Sequence, residues 1–385
     1  MSTTDAGSTA ITLTEAELAG LVTHAPTRGL LTGPGLPAGT DLLTFSPLRT
    51  HGLRRLGDAA DGPLRVAEEL RDRLVIGELL SPADMERESI LLDGSTGEVT
   101  TAYLFHPCDA RPFAPSLETL LRFAAVTEEL AGLRGRFAAL TGQYGPQVVA
   151  DASRSLFALF EEGAGGEVPP YWKAAALIRP LSLVAGPGTA SGLTLDLQAR
   201  LLEQEFGPGR VTRFEEVDFP GTLTHEPTRR FLRETGLPEE AVLFHLDTDV
   251  LLPTLTDYYA AERPDFPLSE LPAHAGHLIR LGDLVADNSL VVDGRTGAVL
   301  NFSEPEATLY PLNTDLSTLA FTLWLLHHER TIDEHLGNEL TTEAYEQLAA
   351  AMIHTLGAVD PTGTYPHTDW HYWTELFQDE AGGVL

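Results

Sequence analysis

Thirteen histidines in a chain carrying 56 acidic residues first suggest a metal centre. His327, His328, His335, His354, His367 and His371 crowd the C-terminal part, close in sequence to Asp333, Glu334 and Asp369. A zinc hydrolase helix places two histidines four residues apart with a glutamate between them as base. His327-His328-Glu329 has the residue types without the spacing, and His367 with His371 has the spacing without the glutamate. Helix-end and surface positions account for such histidines, so no metal and no cofactor is expected. Nucleophile chemistry fares no better, because Gly188-Thr189-Ala190-Ser191-Gly192 lacks the central serine of a nucleophile elbow. Gly33-Pro34-Gly35 and Gly207-Pro208-Gly209 lack the lysine or the third glycine of a phosphate cradle and read as turns. No catalytic residue is expected, and the chain does not read as an enzyme.

His24 and His225 are more telling, because they recur in the same setting. Thr23-His24-Ala25-Pro26-Thr27-Arg28, followed by Gly35-Leu36-Pro37, returns as Thr224-His225-Glu226-Pro227-Thr228-Arg229, followed by Gly236-Leu237-Pro238, at an offset of 201. Leu91-Leu92-Asp93-Gly94 returns as Val291-Val292-Asp293-Gly294 at an offset of 200, and Tyr171-Trp172 returns as Tyr372-Trp373 at 201. Ordered anchors with nearly constant offset indicate a duplicated folding unit, too long for a solenoid repeat and ample for a domain. The signature residues His24, Pro26, Arg28, Gly35, Pro37, Asp93 and Gly94, with His225, Pro227, Arg229, Gly236, Pro238, Asp293 and Gly294, are assigned a structural task, because the same turn is made twice. The copies are placed at 10–190 and 191–385, with the Gly/Pro/Ser-rich stretch 186–192 between them and a disordered tail over 1–9.

Each copy must then position its signature. The proline after each histidine suits the first turn of a helix, and Gly236 followed by Pro238 stops the second one. Asp93-Gly94 and Asp293-Gly294 lie between runs of Ile, Leu and Val, the mark of a β-hairpin. Leu74 to Leu79 and Leu278 to Leu284 add a strand before each hairpin. A helix follows each, Leu117 to Leu130 and Leu316 to Glu329, the latter with Asp315 or Thr314 as N-cap. The fold class is α+β: two tandem copies, each a twisted, mostly antiparallel sheet flanked by helices.

Composition narrows the partner. Residues 1–200 hold 24 acidic against 16 basic side chains, net −8, whereas 201–385 hold 32 against 9, net −23. Such a chain repels polyanions, so neither nucleic acid nor an anionic membrane is an expected partner. The charge serves solubility, complementarity to a basic protein, or both. Cys108 is the sole cysteine, which excludes a disulfide framework and fits a reducing compartment. Without a secretory signal or an apolar run of membrane-spanning length, the location expected is the cytoplasm.

The order of pieces resembles the SUKH superfamily, and within it the fourth-numbered group of bacterial immunity proteins. The residues that carry it are Leu223 to Leu232 with Gly236-Leu237-Pro238, Leu290 to Leu300, and Pro311-Leu312-Asn313-Thr314-Asp315-Leu316-Ser317-Thr318-Leu319-Ala320-Phe321. The first copy is similar but carries Pro112-Phe113-Ala114-Pro115 where the second has Pro-Leu-Asn. The resemblance implies an immunity protein that neutralises the cognate toxin of a polymorphic toxin system by non-catalytic binding. Toxins of such systems are often nucleases or nucleic-acid deaminases, whose cationic clefts an acidic antidote suits. A non-catalytic scaffold or regulatory module for host proteins is the alternative. Candidate partner contacts are Asp283 and Asp287, Glu304 and Glu306, the aromatic pair Tyr258 and Tyr259, and Trp370, which has no counterpart in the first copy. Tyr372 and Trp373, repeated by Tyr171 and Trp172, read as core.

Overall fold

The computed structural model describes residues 10–59, 66–80, 88–103, 110–241, 244–248, 251–285, 288–364 and 371–378. The expected tail 1–9 lies outside the described residues, as do Cys108, Asp287, His367, Asp369 and Trp370. The chain divides into two compact units, Met1–Thr141 with Ala150–Leu177, and Gly142–Val149 with Ile178–Leu385. Residues 178–190 therefore go with the second unit. Within 186–192 the chain starts a small hairpin in which Gly186–Pro187 pairs antiparallel with Leu195–Asp196. The Asp196 carboxylate secures it by accepting from the amides of Ala190 (3.1 Å) and Ser191 (2.8 Å).

The first unit holds an antiparallel meander of Leu74–Leu79, Glu88–Leu92, Val99–Tyr103 and Arg111–Ala114, with Leu43–Thr44 and Arg54–Arg55 both pairing to the first of these. The second unit repeats it as Leu278–Leu284, Asn288–Asp293, Val299–Ser303 and Thr308–Asn313, extended outward by Phe244–Leu246 and Glu240–Ala241. Even the irregularities recur. The register shifts between Val75 and Gly77 and between Arg280 and Gly282, then again at Val99/Thr100 and at Val299/Leu300. Bulges at matching positions give both sheets the same local kinks.

The central strands are buried almost without alternation, because both faces are covered. One face of the second sheet carries Leu278, Val291 and Phe302 packed with Leu255, Tyr259 and Ala275. The first has Val75, Leu91 and Ala102 packed with Leu56, Val66 and Leu70. The helices Leu117–Ala131 and Leu316–His335 follow the sheets, and Leu316 to Leu326 are buried on every side. Ser116 caps the first by accepting from the Thr119 amide at 3.1 Å, and Asp315 caps the second through the amides of Ser317 (2.9 Å) and Thr318 (3.3 Å). Trp172 and Trp373 are fully buried. Their indole N–H groups donate to Phe113 O (2.8 Å) and Asn313 Oδ1 (2.9 Å), tying each late helix to the last strand of its sheet.

Candidate partner interface

The signature residues meet at one corner of each unit. The amides of Thr23 and His24 both donate to Gly94 O (2.7 and 3.0 Å), and those of Thr224 and His225 to Gly294 O (2.7 and 2.9 Å). The hairpin turn thus holds the start of the signature helix, Ala25–Thr32 or Glu226–Glu234, each with its proline in the first turn. His24 Nδ1 lies 2.8 Å from Thr27 Oγ1, and His225 Nδ1 lies 2.8 Å from Thr228 Oγ1. Each ring presses on a left-handed glycine, Gly97 (φ +82°) or Gly297 (φ +81°), where a Cβ would collide with Nδ1. Gly35 and Gly236 are likewise left-handed and back onto the carbonyls of Ile11 and Thr212, so Leu36 bridges to Ile11 while Leu237–Pro238 pairs with Val211–Thr212.

The charged signature residues are also spent internally. Arg28 donates to Val22 O at 2.8 Å and pairs with Glu15; Arg229 donates to Leu223 O at 3.4 Å and pairs with Glu216. Asp93 accepts from the amides of Ser95 (2.8 Å) and Thr96 (3.0 Å), and Asp293 from those of Arg295 (2.8 Å) and Thr296 (3.1 Å). Partial burial disfavours the Asp93 carboxylate, but the Ser95 hydroxyl, these amides and Arg73 outweigh it and bring its pKa down to about 2. The signature is a frame.

Of the carboxylates singled out for partner contact, the described ones, Asp283, Glu304 and Glu306, are engaged as well. Asp283 pairs with Arg280, which also reaches Asp247 (2.6 Å) and Ser289 Oγ (3.4 Å) and stacks 3.7 Å over the ring of half-buried Tyr258. Arg280 is fully buried and takes the register position that Val75 holds in the first copy. Sequence reasoning passed over it, although a lone arginine inside Leu278-Ile279-Arg280-Leu281 signals an internal charge partner. Glu304 pairs with Arg263 and accepts from the Tyr259 hydroxyl at 3.0 Å. Tyr259 is 1% exposed, so its side chain belongs to the core; burial first and Glu304 second push its phenol pKa up. Tyr258, Tyr259, Asp283 and Glu304 thus share one cluster. Glu306 accepts from the Tyr310 hydroxyl, which Glu306 and burial together hold protonated to higher pH.

Two further charged features were invisible to motif reading. Glu205, on the helix Ala199–Phe206, binds two rings through its carboxylate, with His327 Nδ1 at 3.1 Å and His328 Nδ1 at 2.8 Å. Burial opposes its ionisation, yet the hydrogen bonds and charge of His328 and His327 prevail and lower its pKa. Glu329 is fully buried, and neither carboxyl oxygen has a hydrogen-bond partner among the described residues. Burial, reinforced by Asp333 and opposed by Arg330, raises its pKa to about 8. Among the described residues no group of three or more His, Cys, Asp or Glu is placed to hold a metal ion, and no helix is long and apolar enough to cross a membrane.

Comparison with known families also finds the unit twice. The family model described as SUKH-4 immunity protein matches residues 5–159 and again 197–379. The chain belongs to the SUKH-4 immunity protein family. No curated protein and no solved structure matches it. Membership gives this tandem SUKH-4 chain an immunity-protein role, with a cognate toxin as the partner the role implies.

Proposed function

We propose that this tandem SUKH-4 protein is a cytoplasmic antidote that binds and neutralises, without catalysis, the toxin of a polymorphic toxin system. The toxin is a basic nuclease or nucleic-acid deaminase, and the protein itself contacts neither nucleic acid nor membrane. Family membership of both copies carries the reading. The charge supports it: net −23 over residues 201–385 complements an enzyme whose cleft must attract phosphates, and would speed the encounter by long-range steering.

The test is co-expression. The toxin-like domain encoded beside this chain is expressed alone, where it should arrest growth, and with the full-length protein, which should restore it. The purified pair should associate tightly, with affinity falling steeply as salt rises. Growth arrest that the full-length protein does not relieve, with no binding at low salt, refutes the proposal. Retention of several weakly held host proteins instead of one basic domain would favour the scaffold alternative.

A further inference from the structure

One surface feature of the second copy has no role in its frame. Glu216–Asp218 forms a single 3-10 turn just ahead of the signature helix, and Val217 at its tip is 72% exposed. The turn is firmly built. The Glu215 and Asp218 side chains cap each other's backbone amides, with Glu215 N donating to Asp218 Oδ2 at 2.7 Å. Arg229 pairs with Glu216 from the helix, and Arg233 joins it at 3.0 Å. Leu252 N donates to Asp218 O at 3.2 Å, and Arg280 N donates to Pro253 O at 2.9 Å, so the backbone beside Leu251 is fixed to the same turn. It is 61% exposed.

The first copy shows that the frame does not need these apolar tips. Thr14 and Glu17 form the same reciprocal cap, and Arg28 pairs with Glu15, but the residue between Glu15 and Glu17 is Ala16. A single exposed apolar side chain is ordinary, but two on adjoining, hydrogen-bonded backbone make a small apolar patch that a partner can cover. Their rim states the partner's chemistry. Glu215, Glu216 and Asp218 lie in the turn and Glu226 opens the helix behind it; Arg229 and Arg233 each pair with Glu216 and Glu226, so four carboxylates against two guanidinium groups leave this surface a net charge of −2.

We propose that Val217 and Leu251 are the apolar anchor by which the second copy docks a cationic protein surface, that of the toxin domain, with the carboxylate rim meeting its basic side chains. This rests on the antidote reading, and the test separates the two. The probe is the toxin domain from the co-expression experiment, titrated into the full-length protein, its V217A/L251A and V217R/L251R variants, and A16R in the first copy. A hot-spot residue costs about 30-fold or more in affinity on truncation. V217A/L251A should lose at least that, V217R/L251R should also lose rescue of growth, and A16R should bind like wild type. Because both residues are exposed, unchanged thermal melts are expected of all variants. Wild-type affinity in V217R/L251R overturns the anchor while leaving the antidote reading intact; failure of the unaltered protein to bind the domain overturns both. A dimer of the chain that V217R/L251R dissociates, with toxin binding preserved, would overturn the proposal in favour of self-association.

Discussion

Neutralising Glu329 should stabilise this protein, and increasingly so as pH rises. Its carboxyl is buried with neither oxygen hydrogen-bonded among the described residues, on a helix whose first-copy counterpart places buried Leu130 at the same position. The group has its ordinary pKa of 4.5 in the unfolded chain and about 8 in the folded one. The folded state therefore holds the proton more tightly. The stability this contributes is complete below pH 4.5, drains as pH climbs, and is gone above about 8. At 1.36 kcal/mol per pH unit, the wild type forfeits about 3 kcal/mol by pH 7 and about 4 kcal/mol by pH 8. Glu329→Gln keeps the shape and removes the titration. Urea unfolding of both proteins should nearly coincide at pH 5 and separate toward pH 8, the variant being the more stable. Glu329→Leu, which copies Leu130, should gain at least as much, because it also removes the unpaired polar atoms. Curves that stay parallel from pH 5 to pH 8 would show that the carboxyl ionises freely in the folded protein and would refute the reasoning.

Asp93 should behave in the opposite sense. Its pKa is depressed to about 2, so its contribution is present above pH 3.8 and fades as pH falls; Asp93→Asn should cost about 2 kcal/mol at pH 7 and little near pH 2, read from urea midpoints. Gly97→Ala and Gly297→Ala should each destabilise by about 1–3 kcal/mol and by similar amounts, since each forces a Cβ into the histidine ring at a left-handed position; thermal melts will show whether the two shifts match. Arg280→Ala should cost about 3–5 kcal/mol, because it strands Asp247 and Asp283 and empties the site over Tyr258. Adding Asp247→Asn to Arg280→Ala should recover part of that loss in calorimetry, which a purely steric role for Arg280 would not allow.

What could be read from the sequence was what is local. The Asp-Gly turns, the flanking apolar runs, the proline-started helices and the Asp315 cap are each set by residues within a few positions of one another, and duplication displayed the turns, the runs and the helix starts twice. Pairings across the fold were hidden. Glu304 looks like free surface charge in a one-dimensional string, because its partner Arg263 is 41 positions away, and Arg280 reaches Asp247 from 33 positions away as well as Asp283 on its own strand. Tyr258 and Tyr259 are adjacent and alike, yet helix geometry sends one under a guanidinium and the other into the core. The Glu205 clamp joins residues more than 120 positions apart and has no sequence motif at all.

The way the chain threads its two units has a consequence for dissection and for inheritance. It lends Gly142–Val149 to the second unit, returns to the first for Ala150–Leu177, and leaves it again at Ile178. A cut after Thr141 would strip the first unit of Trp172, whose indole holds the carbonyl of Phe113. A cut after Leu177 would deprive the second of Gly145, whose amide is bonded to Leu183 O at 2.9 Å. No single break yields two whole pieces. During synthesis the first unit has all its residues once Leu177 is made, whereas the second, begun at Gly142, must wait for the C-terminal part of the chain.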